Sequence, residues 1–236
     1  MSDHTAQPTV GIIVFPGSNC DQDTVLAIQA LGARAEVLDY RLAELPPVDF
    51  LILPGGFSYG DYLRSGALAA AAPIMDAVEK SAASGMPVLG ICNGFQILCE
   101  RGLLPGALLP NPSGEFICQW QTVRVVNAPK GFETMADGTV LRLPIAHHDG
   151  SYRVAEGQLA SLFEHGQVFL QYSDDKGGAH ALVNPNGSVA NIAGVSQGSV
   201  VGLMPHPERA MAQYLGSDDG RGFLAAWLGL RGNVEC

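Results

Sequence analysis

A chain of 236 residues is long enough for one large α/β domain with a proper core. At 47% hydrophobic and 15% charged residues it is a folded globular protein, not a disordered one. A formal net charge of −10 disfavours nucleic acid and anionic membrane surfaces as partners.

In chain order, Val10–Phe15 is a continuous apolar run stopped by Pro16-Gly17, as expected of a strand buried on both faces. Ser18 and Asn19 can cap a following helix, in which Val25, Leu26, Ile28 and Leu31 fall at roughly helical spacing before Gly32 closes it. Ala35–Leu38 and Phe50–Leu53 predict two more strands, the latter ended by Pro54-Gly55-Gly56. A helical region from Ala67 to Ala83 is interrupted at Pro73, and Val88–Ile91 predicts a fourth strand. The second half is richer in strands: Phe116–Val126, Val140–Ala146, Val168–Tyr172, Val189–Val195 and Ser199–Met204. A last helix is expected over Asp218–Leu228. The alternation predicts an open, mostly parallel, flavodoxin-like sheet flanked by helices, with an antiparallel extension or flap supplied by the second half. With no linker or repeat, the chain is expected to form one domain over residues 1–236, its core running from about 9 to 230.

No stretch approaches the roughly 20 apolar residues of a membrane span. Met1–Pro8 lacks the basic start and apolar segment of a secretion signal, so a cytoplasmic location is expected. The five cysteines (Cys20, Cys92, Cys99, Cys118, Cys236) lack metal-site spacing and are expected as free thiols, with no metal bound. Packing is the default role for Cys20, Cys99 and Cys118, and Cys236 is tail.

Open parallel sheets bind ligands at the carboxyl ends of their strands. Here those ends carry Pro16–Cys20, Pro54-Gly55-Gly56, Cys92 and Pro205-His206-Pro207-Glu208. Gly90-Ile91-Cys92-Asn93-Gly94 puts one reactive residue on a sharp strand-to-helix turn, with glycines allowing close approach and the helix's positive end favouring a thiolate. Alone, it could equally be a buried cysteine on a tight turn. His206 and Glu208 offer a base and a carboxylate to fix its tautomer, two residues apart and facing one way if the backbone is extended. The alternative is a surface turn with a Glu208–Arg209 ion pair. Gly55-Gly56 leaves backbone N–H groups free to meet an oxyanion, although a glycine pair alone signals only a loop. The absence of lysine from Leu53–Asp61 argues against a phosphate loop.

Together the three elements resemble the class I, triad-type glutamine amidotransferases. The stretches Val14–Asp21, Pro54–Arg64, Pro144–His147, Asn191–Val195 and Met204–Ala210 are similar, more narrowly, to the glutaminase subunits of phosphoribosylformylglycinamidine synthases. That resemblance runs from Val10 to about Arg209. It implies Cys92 as nucleophile, His206 as base, Glu208 as orienting acid, and oxyanion donors from the Gly55-Gly56 loop and Asn93, with Gln96 touching bound L-glutamine. It also implies two partners: a synthase subunit that uses ATP and Mg to convert formylglycinamide ribonucleotide to the amidine, and a small accessory subunit. No cofactor is expected on this chain itself. One departure stands out: His147-His148-Asp149-Gly150 occupies the place of the expected His-Gly-Glu-Gly, in a loop expected to serve the substrate pocket or a partner surface. Three alternatives remain open: a glutaminase serving GMP or CTP synthesis, a non-catalytic relative of the fold, and a cysteine peptidase of related architecture.

Overall fold

The computed structural model describes residues 7–230; Cys236 and most of Met1–Pro8 lie outside them. The strands are β1 (Thr9–Val14), β2 (Arg34–Asp39), β3 (Phe50–Leu53), β4 (Val88–Ile91), β5 (Ala107–Leu109), β6 (Ile117–Val125), β7 (Val140–His147), β8 (Ser151–Arg153), β9 (Val168–Tyr172), β10 (Ile192–Gln197) and β11 (Val200–Leu203). The helices are α1 (Asp21–Ala30), α2 (Ala67–Ala70), α3 (Ile74–Ala83), α4 (Asn93–Glu100), α5 (Gln158–Glu164) and α6 (Asp219–Trp227).

Nine strands form one sheet in the order β2-β1-β3-β4-β11-β10-β9-β6-β7. The first five are mutually parallel, as the alternation of strand and helix predicts. From β11 onward each neighbour is antiparallel, so the second half extends the sheet. Central β1, β3 and β4 are buried on both faces, which their unbroken apolar runs require. Edge strand β2 is only partly covered. A small ribbon of β5 and β8 stands apart.

Three expectations need correction. Ser18 does not cap α1: its Oγ accepts the Phe15 N–H at 3.2 Å, and Cys20 holds the cap position without a side-chain bond. The helix buries Thr24, Ala27 and Ile28, leaving Leu26 exposed. The run from Val189 is not a strand until Ile192, because left-handed Ala190 (φ 49°) and Asn191 (φ 59°) form a 3-10 turn first. Asn191 Nδ2 secures that turn by donating to Tyr172 O (3.3 Å) and His180 O (2.9 Å).

Candidate active site

The register of the parallel strands assembles the site. β11 pairs with β4 so that Leu203 lies beside Ile91, and the Cys92 N–H donates to Leu203 O at 2.8 Å. The chain therefore leaves both strands side by side, carrying Cys92 on one and Pro205-His206 on the other. The ends of β1 and β3 adjoin them and bring Cys20 and the Gly55-Gly56 loop.

Cys92 sits at φ 50°, ψ −103°, strained for any residue with a side chain. The turn is possible because its flanks are glycines. A Cβ on Gly90 would lie 2.5 Å from Leu98 Cδ1, and one on Gly94 would overlap the Leu53 carbonyl. Gly56 adopts φ 140°, and a Cβ there would meet Asn19 N and Gly17 O, each at 2.7 Å.

His206 is buried, its N–H held by Pro144 O at 2.8 Å, and its Nδ1 lies 2.6 Å from Glu208 Oε1. The predicted extended spacing is not how this happens. Pro207–Arg209 forms one 3-10 turn that folds the Glu208 carboxylate back under the ring. Nor does Arg209 pair with Glu208: its Nε donates to Asp23 Oδ2 (3.0 Å) and its Nη2 to Cys20 Sγ (3.1 Å). Burial alone would lower the proton affinity of His206, but the charges of the Glu208 carboxylate and of a Cys92 thiolate outweigh it and raise the imidazole to about 10. The thiol donates to Ala146 O, 3.5 Å away, and His206 Nε2 has no hydrogen-bond partner.

Asn93 and Gln96 form the adjoining wall. Asn93 Oδ1 accepts the Ser58 N–H (3.2 Å), and its Nδ2 donates to Gln96 Oε1 (2.8 Å). Gln96 Nε2 donates in turn to Asp149 O (2.7 Å), tying the wall to the 147–150 loop. In that loop His147 is buried and His148 exposed, with His148 Nδ1 2.6 Å from Asp149 Oδ1. Burial, reinforced by the positive field of His206, pushes His147 down to about 4.

Several neighbours of the site were not singled out from sequence. Asp61, pushed up to about 6 by burial and by Asp149, faces Asn93 Nδ2 at 3.5 Å. Asn186 Nδ2 reaches Gly150 O (2.8 Å) and Tyr172 Oη (3.1 Å). Both act across long sequence separations, and the residue pattern carries no sign of that. Among the described residues no disulfide joins the cysteines; Cys99 is partly buried, while Cys118 faces outward on β6, contrary to the packing role expected of it. Cys20 Sγ, a His206 ring nitrogen and a Glu208 oxygen lie within 4.8 Å of one another, a donor set zinc could use. The Arg209 guanidinium on Cys20 Sγ, however, already places a positive charge there, so these residues fit a cation poorly.

A family model described as the CobB/CobQ-like glutamine amidotransferase domain matches residues 7–222. Phosphoribosylformylglycinamidine synthase subunit PurQ of Thermomicrobium roseum is 54% identical over 221 residues, covering 92% of this chain and 94% of that protein. The chain belongs to the PurQ family. The PurQ of Aquifex aeolicus is 51% identical over 93% of this chain and 97% of its own length. A chain in the PurLQS structure from Thermotoga maritima superposes with a TM-score of 0.83 at 41% identity, covering 95% of this chain and 99% of that one. Membership makes this chain a glutamine amidotransferase with the mostly parallel α/β fold described above. No described helix is long and apolar enough to cross a membrane.

Proposed function

We propose that this PurQ-family chain is the glutaminase subunit of a phosphoribosylformylglycinamidine synthase, and that Cys92, His206 and Glu208 are its catalytic triad. The observation that carries this reading is the buried His206–Glu208 pair, 2.6 Å apart, beside a thiol on a strained strand-to-helix turn. Transfer of the thiol proton to neutral His206 Nε2 gives the thiolate–imidazolium pair in which the imidazole is raised, and Cys92 Sγ attacks the side-chain carbonyl of L-glutamine. The oxyanion meets the N–H groups of Gly56 and Asn93, with Gly55 leaving room for the His206 ring. His206 returns its proton to the leaving nitrogen, ammonia departs, and a glutamyl thioester remains. Water then adds, deprotonated by the same imidazole, and the thioester opens to glutamate and free thiol. Gln96 positions the substrate through its hold on the 147–150 loop.

Ammonia passes to a synthase subunit that uses ATP and Mg to convert formylglycinamide ribonucleotide to the amidine, and a small accessory subunit completes the complex. Two relatives are named as subunits of this synthase, and a third occurs in a PurLQS structure. In this reading the chain is a single amidotransferase domain, works in the cytoplasm and needs no cofactor of its own. The test is glutamate release by the purified chain and its Cys92→Ala variant, alone and with the synthase partners, nucleotide and ATP. Release that vanishes in the variant supports the triad; equal release by both overturns it.

A further inference from the structure

We propose that Cys20 is a positioning residue for the base's carboxylate: held by Arg209, its thiol is placed to supply the second hydrogen bond to Glu208 through a small side-chain movement. This rests on the triad reading above. What calls for a donor is Glu208 Oε2. Oε1 is engaged by His206, whereas Oε2 is buried and has no hydrogen-bond partner. A buried carboxylate oxygen left bare is costly, and such groups call for a specific explanation.

Cys20 is the neighbour placed to answer it. It is 4% exposed, and its Sγ lies within 4.8 Å of a Glu208 carboxylate oxygen and a His206 ring nitrogen, though it makes no hydrogen bond to Oε2 as it stands. Sγ already accepts from Arg209 Nη2 at 3.1 Å, and Arg209 is itself fixed by Asp23. With a sulfur lone pair so occupied, the S–H is left to turn toward the carboxylate. Burial, with the Glu208 charge behind it, pushes the Cys20 thiol up to about 12, opposed only by Arg209. Cys20 therefore keeps its proton at working pH and acts as a donor, not as a second nucleophile. Its own N–H donates to Gly55 O at 3.3 Å, so one residue braces both the glycine loop and the base. Gly55 is bare for the same reason: a Cβ there would lie 2.7 Å from His206 Cε1 and 3.2 Å from Cys20 Sγ.

The ionisable groups facing His206 are Glu208, Cys92, His147 from β7 and Cys20; those facing Cys20 are Glu208, Arg209, Cys92 and Asp23. The test compares Cys20→Ala, Cys20→Ser and Arg209→Met in the full chain. It measures kcat and KM for glutamine, and the pH at which iodoacetamide labelling of the Cys92 peptide half-develops. In Cys20→Ala, kcat falls about tenfold at unchanged KM, the worth of one hydrogen bond. Labelling moves to higher pH, because an imidazolium less firmly backed by Glu208 forms less readily. Cys20→Ser, which keeps a donor, stays near the parent in both. Arg209→Met shifts labelling the same way as Cys20→Ala and carries the test if that variant does not fold. A parent-like labelling profile in whichever of these two variants folds, or equal impairment of Cys20→Ser and Cys20→Ala, overturns the proposal. Full activity in Cys92→Ala would instead remove the triad reading beneath it.

Discussion

At His206 and His147, two imidazoles close enough to feel each other are driven in opposite directions. His206 rises to about 10 against its burial because it faces the Glu208 carboxylate, whereas burial, reinforced by His206, drives His147 down to about 4. The raised group binds more protons folded than unfolded between about pH 6.5 and 10, so its stabilisation is complete below 6.5 and fades as pH climbs. The lowered group does the reverse, and its contribution is lost as pH falls from about 6.5 to 4. His147→Gln should therefore lose less stability than the parent over that acid interval, measured by urea denaturation at several pH values. Parallel curves would show that His147 does not titrate this way. Glu208→Gln keeps the shape but removes the charge that holds the imidazolium. We expect kcat to drop by roughly 10²–10⁴ with KM nearly unchanged; a kcat within threefold of the parent would remove Glu208 from the triad. Cys92 and His206 were legible in the sequence because each follows a strand end, and strand ends are where this fold gathers chemistry. The reach of Glu208 was only half legible. Its spacing suggested a partner for His206, but the 3-10 turn that delivers the carboxylate depends on contacts outside the motif.

Among the elements, α4 shows how tightly local sequence can dictate geometry. Its entry turn works only because Gly94 lets the backbone pass against β3, where any side chain would overlap the Leu53 carbonyl. Gly94→Ala should cost about 2–4 kcal/mol by chemical denaturation, since backbone cannot move aside as a flexible side chain can. Gly222 in α6 is the contrasting case: a Cβ added there would meet nothing within 4 Å, and the residue has no left-handed φ. Gly222→Ala should stabilise by about 0.5–1 kcal/mol, by restricting the unfolded chain and favouring helix. If both variants moved stability alike, the close approach at Gly94 would not be what holds the turn. The central strands and the Pro73 break between α2 and α3 were readable because apolar runs and proline act locally. The β5–β8 ribbon was not: each strand has three residues, and they pair across more than forty positions, too short for periodicity to register. The turn before β10 was missed for a related reason, since left-handed Ala190 looks like any alanine in sequence.

Across the whole molecule, the parallel half carries Cys92 and His206, the proposed nucleophile and base, and the antiparallel half touches both through β7. Cys92 Sγ donates to Ala146 O on β7, the last strand of the sheet, and makes no hydrogen bond to His206 Nε2, which is left without a partner. Beyond Ala146 the chain enters the 147–150 loop, which Gln96 and Asn186 clamp from two sides and which exposes His148. A partner docking on this loop or on the β7 edge could therefore shift the carbonyl that restrains the thiol without touching the triad. The energy involved is small. A tenfold change in rate corresponds to about 1.4 kcal/mol, and one weak S–H···O bond is worth about that or less. We expect the isolated chain to release glutamate slowly and the rate to rise about tenfold or less from this source once the synthase subunit binds. The measurement is glutamate release at saturating glutamine, with and without the synthase subunit, nucleotide and ATP. Equal turnover in the two conditions would mean that the thiol reaches Nε2 freely in the isolated chain, and that the Ala146 contact restrains nothing.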